Sequence, residues 1–303
     1  MFNIEKGKIL ILDGAMGSEL EKHGVDIKTK LWTAGALINA PEAVKAVHRS
    51  YFDAGATVII TCSYQATTEG FMKQGYSEQE AKDYLKRSYT LAEEACEEYK
   101  KEHEEFVPYI VTAIGPYGAY LADGSEYRGN YGLTDEELYD FHKKRMEILK
   151  EAGARYFACE TIPSFQESRV LAGLVEELGC EGWMTYSCMS GKSLCDGTDI
   201  EECAEYMDRC DVIDAIGVNC TKPKFIEELV KKIRKHTDKN IVVYGNAGAE
   251  YDAIKKVWYR DDAVDRYSDY VQAWYDAGAN IIGGCCQTGP EEIEGIYQWS
   301  KTL

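Results

Sequence analysis

Asp53-Ala54-Gly55-Ala56, Glu151-Ala152-Gly153-Ala154 and Asp276-Ala277-Gly278-Ala279 are three copies of one pattern, and each leads into an apolar run. Each reads as a helix that stops, a glycine that caps it in the left-handed conformation, and a strand that starts at once. One αβ joint repeated along a chain predicts consecutive βα units. Working outward from the joints, the apolar runs at 8–12, 57–61, 109–114, 156–159, 182–186, 213–218, 241–244 and 281–282 read as eight strands. Helical segments are expected from Ser18, at 41–53 behind Pro41, and at 77–103. Others open at Thr134 with a capping box, at Ser164 and at Asp199. The remainder are expected at 225–236, between the seventh strand and Asp276, and from Pro290. Eight strands, each followed by helix, predict an α/β fold, a single (β/α)8 barrel of the TIM type, which needs about 250 residues. A doubly wound sheet is the alternative. No Gly-x-Gly-x-x-Gly follows the first strand, which argues against a dinucleotide site there. No low-complexity linker divides the chain, so residues 1–303 are expected to form one domain.

The 303 residues are 45% hydrophobic and 28% charged, an ordinary globular balance. The net charge of −18 argues against a basic nucleic-acid face and against binding to anionic lipid, and it mildly favours a cationic substrate. No apolar run is long enough to span a bilayer, and the polar start Met1-Phe2-Asn3-Ile4-Glu5-Lys6 shows no signal peptide. Eleven cysteines, an odd number in a long chain, point to reduced thiols in a cytoplasm.

In such a barrel the chemistry sits where the strands end. Those positions hold Asp13, Thr61, Gly115, Glu160, Ser187, Cys220, Asn246 and the pair Cys285-Cys286. Asp and Thr are also ordinary turn formers. Glu160 stands out, because an unpaired carboxylate at a buried strand end is costly. It either pairs with a helix Lys or Arg or serves a ligand. Cys220 closes one strand and Cys285-Cys286 another. Three thiols at two strand ends can hold a zinc ion with a fourth position open, the catalytic pattern, or can simply be buried structural cysteines. The stretch 115–132 carries four tyrosines and two acids before any helical signal returns. A loop of that length in a compact domain is often functional. Aromatic faces attract cations, so it reads either as a lid over a cationic substrate or as rim packing.

The motifs Asp13-Gly14-Ala15-Met16-Gly17, Ser63-Tyr64-Gln65-Ala66-Thr67, Cys159-Glu160-Thr161-Ile162-Pro163, Gly217-Val218-Asn219-Cys220 and Gly283-Gly284-Cys285-Cys286, with the 115–132 loop, resemble one family. The chain is similar to the homocysteine S-methyltransferases, in particular to the cobalamin-independent branch that uses S-methylmethionine or S-adenosylmethionine. The similarity runs over residues 8 to 300. It implies a (β/α)8 barrel, zinc as cofactor on Cys220, Cys285 and Cys286, and Asp13 and Glu160 as catalytic candidates. It further implies that Glu160 holds the amino group of homocysteine and that the Asp13 segment, through the amides of Ala15 and Met16, holds its carboxylate. Thr61, Asn219 and Asn246 are the further implied substrate contacts. Three features depart from the branch. Tyr244-Gly245-Asn246-Ala247-Gly248 stands where Tyr-Pro-Asn-Ser-Gly is usual, and Gln287 where Arg is usual. Cys188 and Cys195 lie after the fifth strand.

The implied reaction has a simple chemical demand. A thiol with a pKa near about 8.5 is only slightly ionised at neutral pH, and methyl transfer needs the thiolate. A sulfonium donor leaves as a neutral thioether, so no acid is required, and the remaining task is alignment. The alternatives are a betaine- or corrinoid-dependent homocysteine methyltransferase and a non-enzymatic zinc or thiol protein.

Overall fold

The computed structural model describes residues 2–247, 249–252, 257–260 and 267–303. Eight parallel strands form the wall of a barrel. They are β1 (Leu10–Ile11), β2 (Val58–Ile60), β3 (Tyr109–Ile114), β4 (Tyr156–Ile162), β5 (Glu181–Tyr186), β6 (Ile213–Asn219), β7 (Asn240–Gly245) and β8 (Ile281–Gly284). From β2 to β8 each strand pairs with its neighbour in sequence, and β8 pairs with β1, Leu10 opposite Ile281. The seam between β1 and β2 is closed by the parallel bridge Leu12–Val58 and by the Asp13 amide donating to the Val58 carbonyl at 3.0 Å. This is the expected (β/α)8 barrel.

All three joints form as the sequence predicts. Gly55, Gly153 and Gly278 have φ of +100°, +123° and +119°. In each, the following alanine donates five residues back, Ala56 to Tyr51, Ala154 to Leu149 and Ala279 to Trp274, at 2.9, 3.1 and 3.0 Å. These are Schellman caps, which turn the chain straight from helix into strand. Helix starts follow their caps as well. Ser77 and Thr134 form capping boxes with Glu80 and Glu137.

The core has two shells. Inside the barrel, Leu12, Val58, Val111, Trp183, Val242 and Ile281 pack across the axis, and outside it the strands meet the helices through a larger apolar layer. Phe2 floors the N-terminal end, its ring edge-on to Tyr109 and Tyr156 at centroid distances of 5.1 and 5.0 Å. The opposite end is left for polar side chains.

Two expectations need correction. The segment between β7 and Asp276 is not one helix. It holds an antiparallel ribbon, Ala249–Asp252 paired with Val257–Arg260, and only then the helix Ser268–Ala277. The run Val257-Trp258-Tyr259 is β-branched and aromatic, which suits a strand better than a helix. The 115–132 stretch is not irregular throughout. It contains a helix, Tyr117–Leu121, and one 3₁₀ turn, Ser125–Tyr127.

Candidate active site

A cavity of about 240 Å³ lies at the C-terminal ends of the strands. Its lining includes Asp13, Thr61, Glu160, Cys220, Cys285 and Cys286, together with Glu126 and Tyr127 from the 115–132 stretch.

The three thiols converge. The sulfurs of Cys220, Cys285 and Cys286 all lie within 4.8 Å of one another, with Cys220–Cys286 at 3.4 Å and Cys285–Cys286 at 3.9 Å. Three thiolates at Zn–S distances of about 2.3 Å would sit about 3.8 Å apart in a tetrahedron, so the set fits a tetrahedral thiolate metal site with one position left for another ligand. Cys220 has φ of +49°. A non-glycine residue held in that region costs energy and clusters at functional sites. Hydrogen bonds from Cys285 and Cys286 pull the Cys220 thiol well down, helped by Tyr127 and Asn246, and the hydrogen bonds that those two thiols make to Cys220 push their own values up, with burial and the Cys220 charge adding to the rise. Cys188 and Cys195 stay outside it. The Cys195 thiol points to the Ser187 hydroxyl at 3.5 Å, and Cys188 to the Tyr186 carbonyl.

Glu160 lies inside β4 rather than after it, and a bulge sets its direction. Cys159 pairs with Met184 and Ile162 with Tyr186, so Glu160 and Thr161 together oppose Thr185 alone. Bulges of this kind re-aim a side chain beside an active site. Thr161 has φ of +58°, unusual for a β-branched residue. Asn219 clamps it there. The Asn219 side-chain Oδ1 accepts from the Thr161 amide at 2.7 Å, and its Nδ2 donates to the Thr161 hydroxyl at 2.8 Å. Glu160 is only 7% exposed. Burial pushes its carboxyl up to about 8, a hydrogen bond from Tyr244 pulls the other way, and the Cys220 charge adds to the rise. Once ionised, this buried carboxylate needs a cation beside it.

The remaining expected residues divide by what they touch. Asp13 is buried and its carboxylate accepts from the Ile60 amide at 2.9 Å, which ties β1 to β2. Burial pushes its carboxyl well above the usual range against that hydrogen bond, and Glu160 adds to the rise. The Ala15 amide is already committed to the Thr288 carbonyl at 2.9 Å, so it has no hydrogen to spare for a ligand. Met16 opens the helix Met16–Lys22, where first-turn amides have no intrahelical acceptor. The Thr61 hydroxyl meets Ser63 at 2.7 Å and accepts from the Ala113 amide at 3.1 Å, a structural role at the cavity wall. Asn219 sits behind the site, holding Thr161. Asn246 hydrogen-bonds Cys220, and its carbonyl oxygen is buried without a partner. Of the departures, Gln287 lines the cavity with φ of +64°, Gly245 ends β7, and Ala247 is buried just beyond it.

Sequence reasoning did not pick out Tyr127, Tyr244 or Glu126. The Tyr127 hydroxyl lies 3.2 Å from the Cys220 sulfur. Tyr244 takes the Trp183 indole N–H at 3.2 Å and meets the Thr185 hydroxyl at 2.9 Å, which orients it beside Glu160. Burial pushes the Glu126 carboxyl up to about 7, and the Cys220 charge adds to the rise. The tyrosine-rich stretch itself was the available signal, but it does not say which of its side chains turn inward.

Asn219→Ala removes the clamp on the bulge and leaves the Thr161 amide unpaired. Stability is expected to fall by about 1–3 kcal/mol in denaturant melts. If Glu160 binds a substrate, the KM for that substrate is expected to rise as the side chain loses its direction.

The sequence profile of the homocysteine S-methyltransferase family matches residues 10–299. The chain is 43% identical over 300 residues to homocysteine S-methyltransferase YbgG of Bacillus subtilis (strain 168), covering 97% of this chain and 95% of that one. It is 42% identical over 304 residues to homocysteine S-methyltransferase 3 of Zea mays, covering 96% and 90%. Among solved structures, the metallated form of the homocysteine methyltransferase MmuM from Escherichia coli superposes with a TM-score of 0.88 at 36% identity, over 97% of each chain. Barrel, thiol triad and full-length similarity agree, and the chain belongs to the homocysteine S-methyltransferase family.

Proposed function

We propose that this chain, as one barrel over residues 1–303, transfers a methyl group from a sulfonium donor to the thiol of homocysteine in a zinc-dependent reaction that forms methionine. Methyl transfer to homocysteine follows from family membership. The observation that carries the finer reading is the convergence of three thiols within 4.8 Å beside a buried, cation-seeking Glu160. Cys220, Cys285 and Cys286 would hold the zinc ion. Bound there, zinc supplies a deprotonated acceptor sulfur of fixed direction. Glu160 pairs with the substrate ammonium, and the Met16 amide, rather than that of Ala15, receives its carboxylate. Tyr127 covers the thiols from above and excludes water.

The bond changes are few. The homocysteine thiol loses its proton to solvent, a new S–CH₃ bond forms at its sulfur, and the S–CH₃ bond of the donor breaks with its electron pair left on the donor sulfur. The donor departs as a neutral thioether, so the site needs no acid aimed at the leaving group. Alignment of sulfur, methyl and sulfur is the enzyme's main contribution. The acidic lining suits a cationic donor, and among the lining residues the only basic side chain is the exposed Lys28. The overall charge of −18 disfavours nucleic acid as a partner. No helix among the described residues is long and apolar enough to cross a membrane. Eleven free cysteines support placement in a reducing cytoplasm.

The test is a competition assay. Purified enzyme and homocysteine receive S-methylmethionine, S-adenosylmethionine or betaine at equal concentration, and methionine is followed over time. Turnover is expected with S-methylmethionine first and S-adenosylmethionine second. Turnover with betaine alone would overturn the donor reading and leave the acceptor half intact.

A further inference from the structure

Glu126 is the only cavity-lining acid, among the described residues, with a buried oxygen that lacks a partner. Asp13 is committed to the Ile60 amide and Glu160 hydrogen-bonds with Tyr244. Glu126 has no such bond at Oε2. A buried unpartnered carboxylate is expensive and persists where a ligand completes it.

The backbone under Glu126 is firmly held. Its carbonyl accepts from the Ser187 hydroxyl at 3.3 Å. The preceding turn is closed by the Ser125 amide donating to Asp123 at 2.9 Å. Gly118 packs directly on the Glu126 amide, so close that any Cβ there would collide with it. The stretch is anchored at its start by a buried network. Glu167 accepts from the Tyr117 amide at 2.6 Å and meets His142 Nε2 at 2.8 Å, while Arg145 bonds His142 Nδ1 at 2.7 Å and the Gly115 carbonyl. Glu126 therefore reaches the cavity from a preorganised support. Its chain neighbour Tyr127 touches the Cys220 sulfur at 3.2 Å, so this carboxylate belongs to the side of the cavity formed by the covering loop.

We propose that Glu126 is the counter-charge for the sulfonium centre of the methyl donor. The inference rests on the sulfonium reading of the donor given above. It divides the two cations of the reaction between two carboxylates, the homocysteine ammonium to Glu160 on the barrel wall and the donor sulfonium to Glu126 on the covering loop. The sulfonium charge disappears as the methyl group moves. Attraction to Glu126 is therefore greater in the ground state than in the transition state. It captures the donor and then releases the neutral thioether, and it belongs in KM more than in kcat.

Glu126→Gln keeps the size and removes the charge, and Glu126→Asp keeps the charge and shortens the reach. At saturating homocysteine, the KM for S-methylmethionine is expected to rise at least about tenfold in E126Q, with a smaller rise in E126D. The homocysteine KM is expected to stay within about twofold of wild type, and kcat to change less than the donor KM. E126Q is expected to melt at or above the wild-type temperature, because an unpaired buried charge is removed. A binding pair isolates the charge. S-adenosylmethionine should lose affinity for E126Q, whereas S-adenosylhomocysteine, which keeps the ammonium and lacks the sulfonium, should not. An unchanged donor KM in E126Q overturns the proposal, as does an equal loss for both adenosyl compounds, which would put Glu126 on the donor ammonium. If wild type turns over no sulfonium, the donor reading falls and this proposal falls with it. If wild type uses a sulfonium and E126Q matches it, only the role of Glu126 falls.

Discussion

Replacing Cys285 with alanine is expected to lower both bound zinc and methionine formation by more than about a hundredfold, since loss of an outer partner alone weakens metal sites by about 10–100-fold. Cys285 and Cys286 enter from the end of β8 and Cys220 from the end of β6, so each substitution leaves two thiols and an incomplete tetrahedron. Cys285 is only partly buried and faces the cavity. Its loss should therefore disarm the site without unfolding the barrel, and the melting curve of the metal-free protein should barely move. Cys195→Ala is the matched control. Its thiol points to Ser187 and lies outside the triad, so zinc content and turnover should be retained. Metal analysis and a methionine assay on both variants check the assignment. Full zinc and full activity in Cys285→Ala would show that the triad is structural.

Glu160→Gln has the next largest expected effect. A hydrogen bond to a charged group contributes about 1.5–3 kcal/mol, so kcat/KM for homocysteine should fall by about one to two decades. The sign of the pH dependence follows from the direction of the shift. Burial holds the carboxyl at about 8, so below that pH it is mostly neutral and cannot pair with an ammonium. In wild type, kcat/KM for homocysteine should rise with pH through about 8, and the Gln variant should lack that limb. Stability changes the other way. The folded-state value lies above the ordinary glutamate value of 4.5, so the folded state binds the extra proton. Destabilisation by the buried charge is absent below about 4.5 and complete above about 8. Glu160→Gln should therefore melt higher than wild type at alkaline pH and alongside it at acid pH. Identical kinetics and identical melting profiles would make Glu160 a structural residue.

Much of the architecture was legible because it depends on local rules. The acid-Ala-Gly-Ala joints specify a Schellman cap, and three of them set the βα rhythm at Gly55, Gly153 and Gly278. Apolar runs of two to six residues placed the strands to within a few positions. The ribbon after β7 was missed although Val257-Trp258-Tyr259 favours a strand, because its pairing of Ala249 with Arg260 is a contact between two segments and the first segment carries no such signal. The site was legible in its chemistry and less so in its wiring. Cys220, Cys285, Cys286 and Glu160 announced themselves as polar groups where apolar runs end. Asn219 looked like a substrate contact, yet its hydrogen bonds go to Thr161, and only the bulge at Glu160 explains why. Ala15 offered an amide that the fold spends on Thr288. The 115–132 stretch was conspicuous, but the inward turn of Tyr127 depends on Gly118 packing against Glu126 and on the buried Glu167–His142–Arg145 network. Such distant partners carry no sequence signature.

The central claim is that three thiols hold zinc with one position open for the sulfur of homocysteine. Zinc-edge X-ray absorption on the purified protein tests this most directly. Without substrate, the spectrum should report three sulfur neighbours at about 2.3 Å and one lighter atom. With homocysteine added, it should report four sulfurs at that distance. An unchanged coordination shell on adding homocysteine, or a shell that already holds four protein sulfurs, would contradict the account.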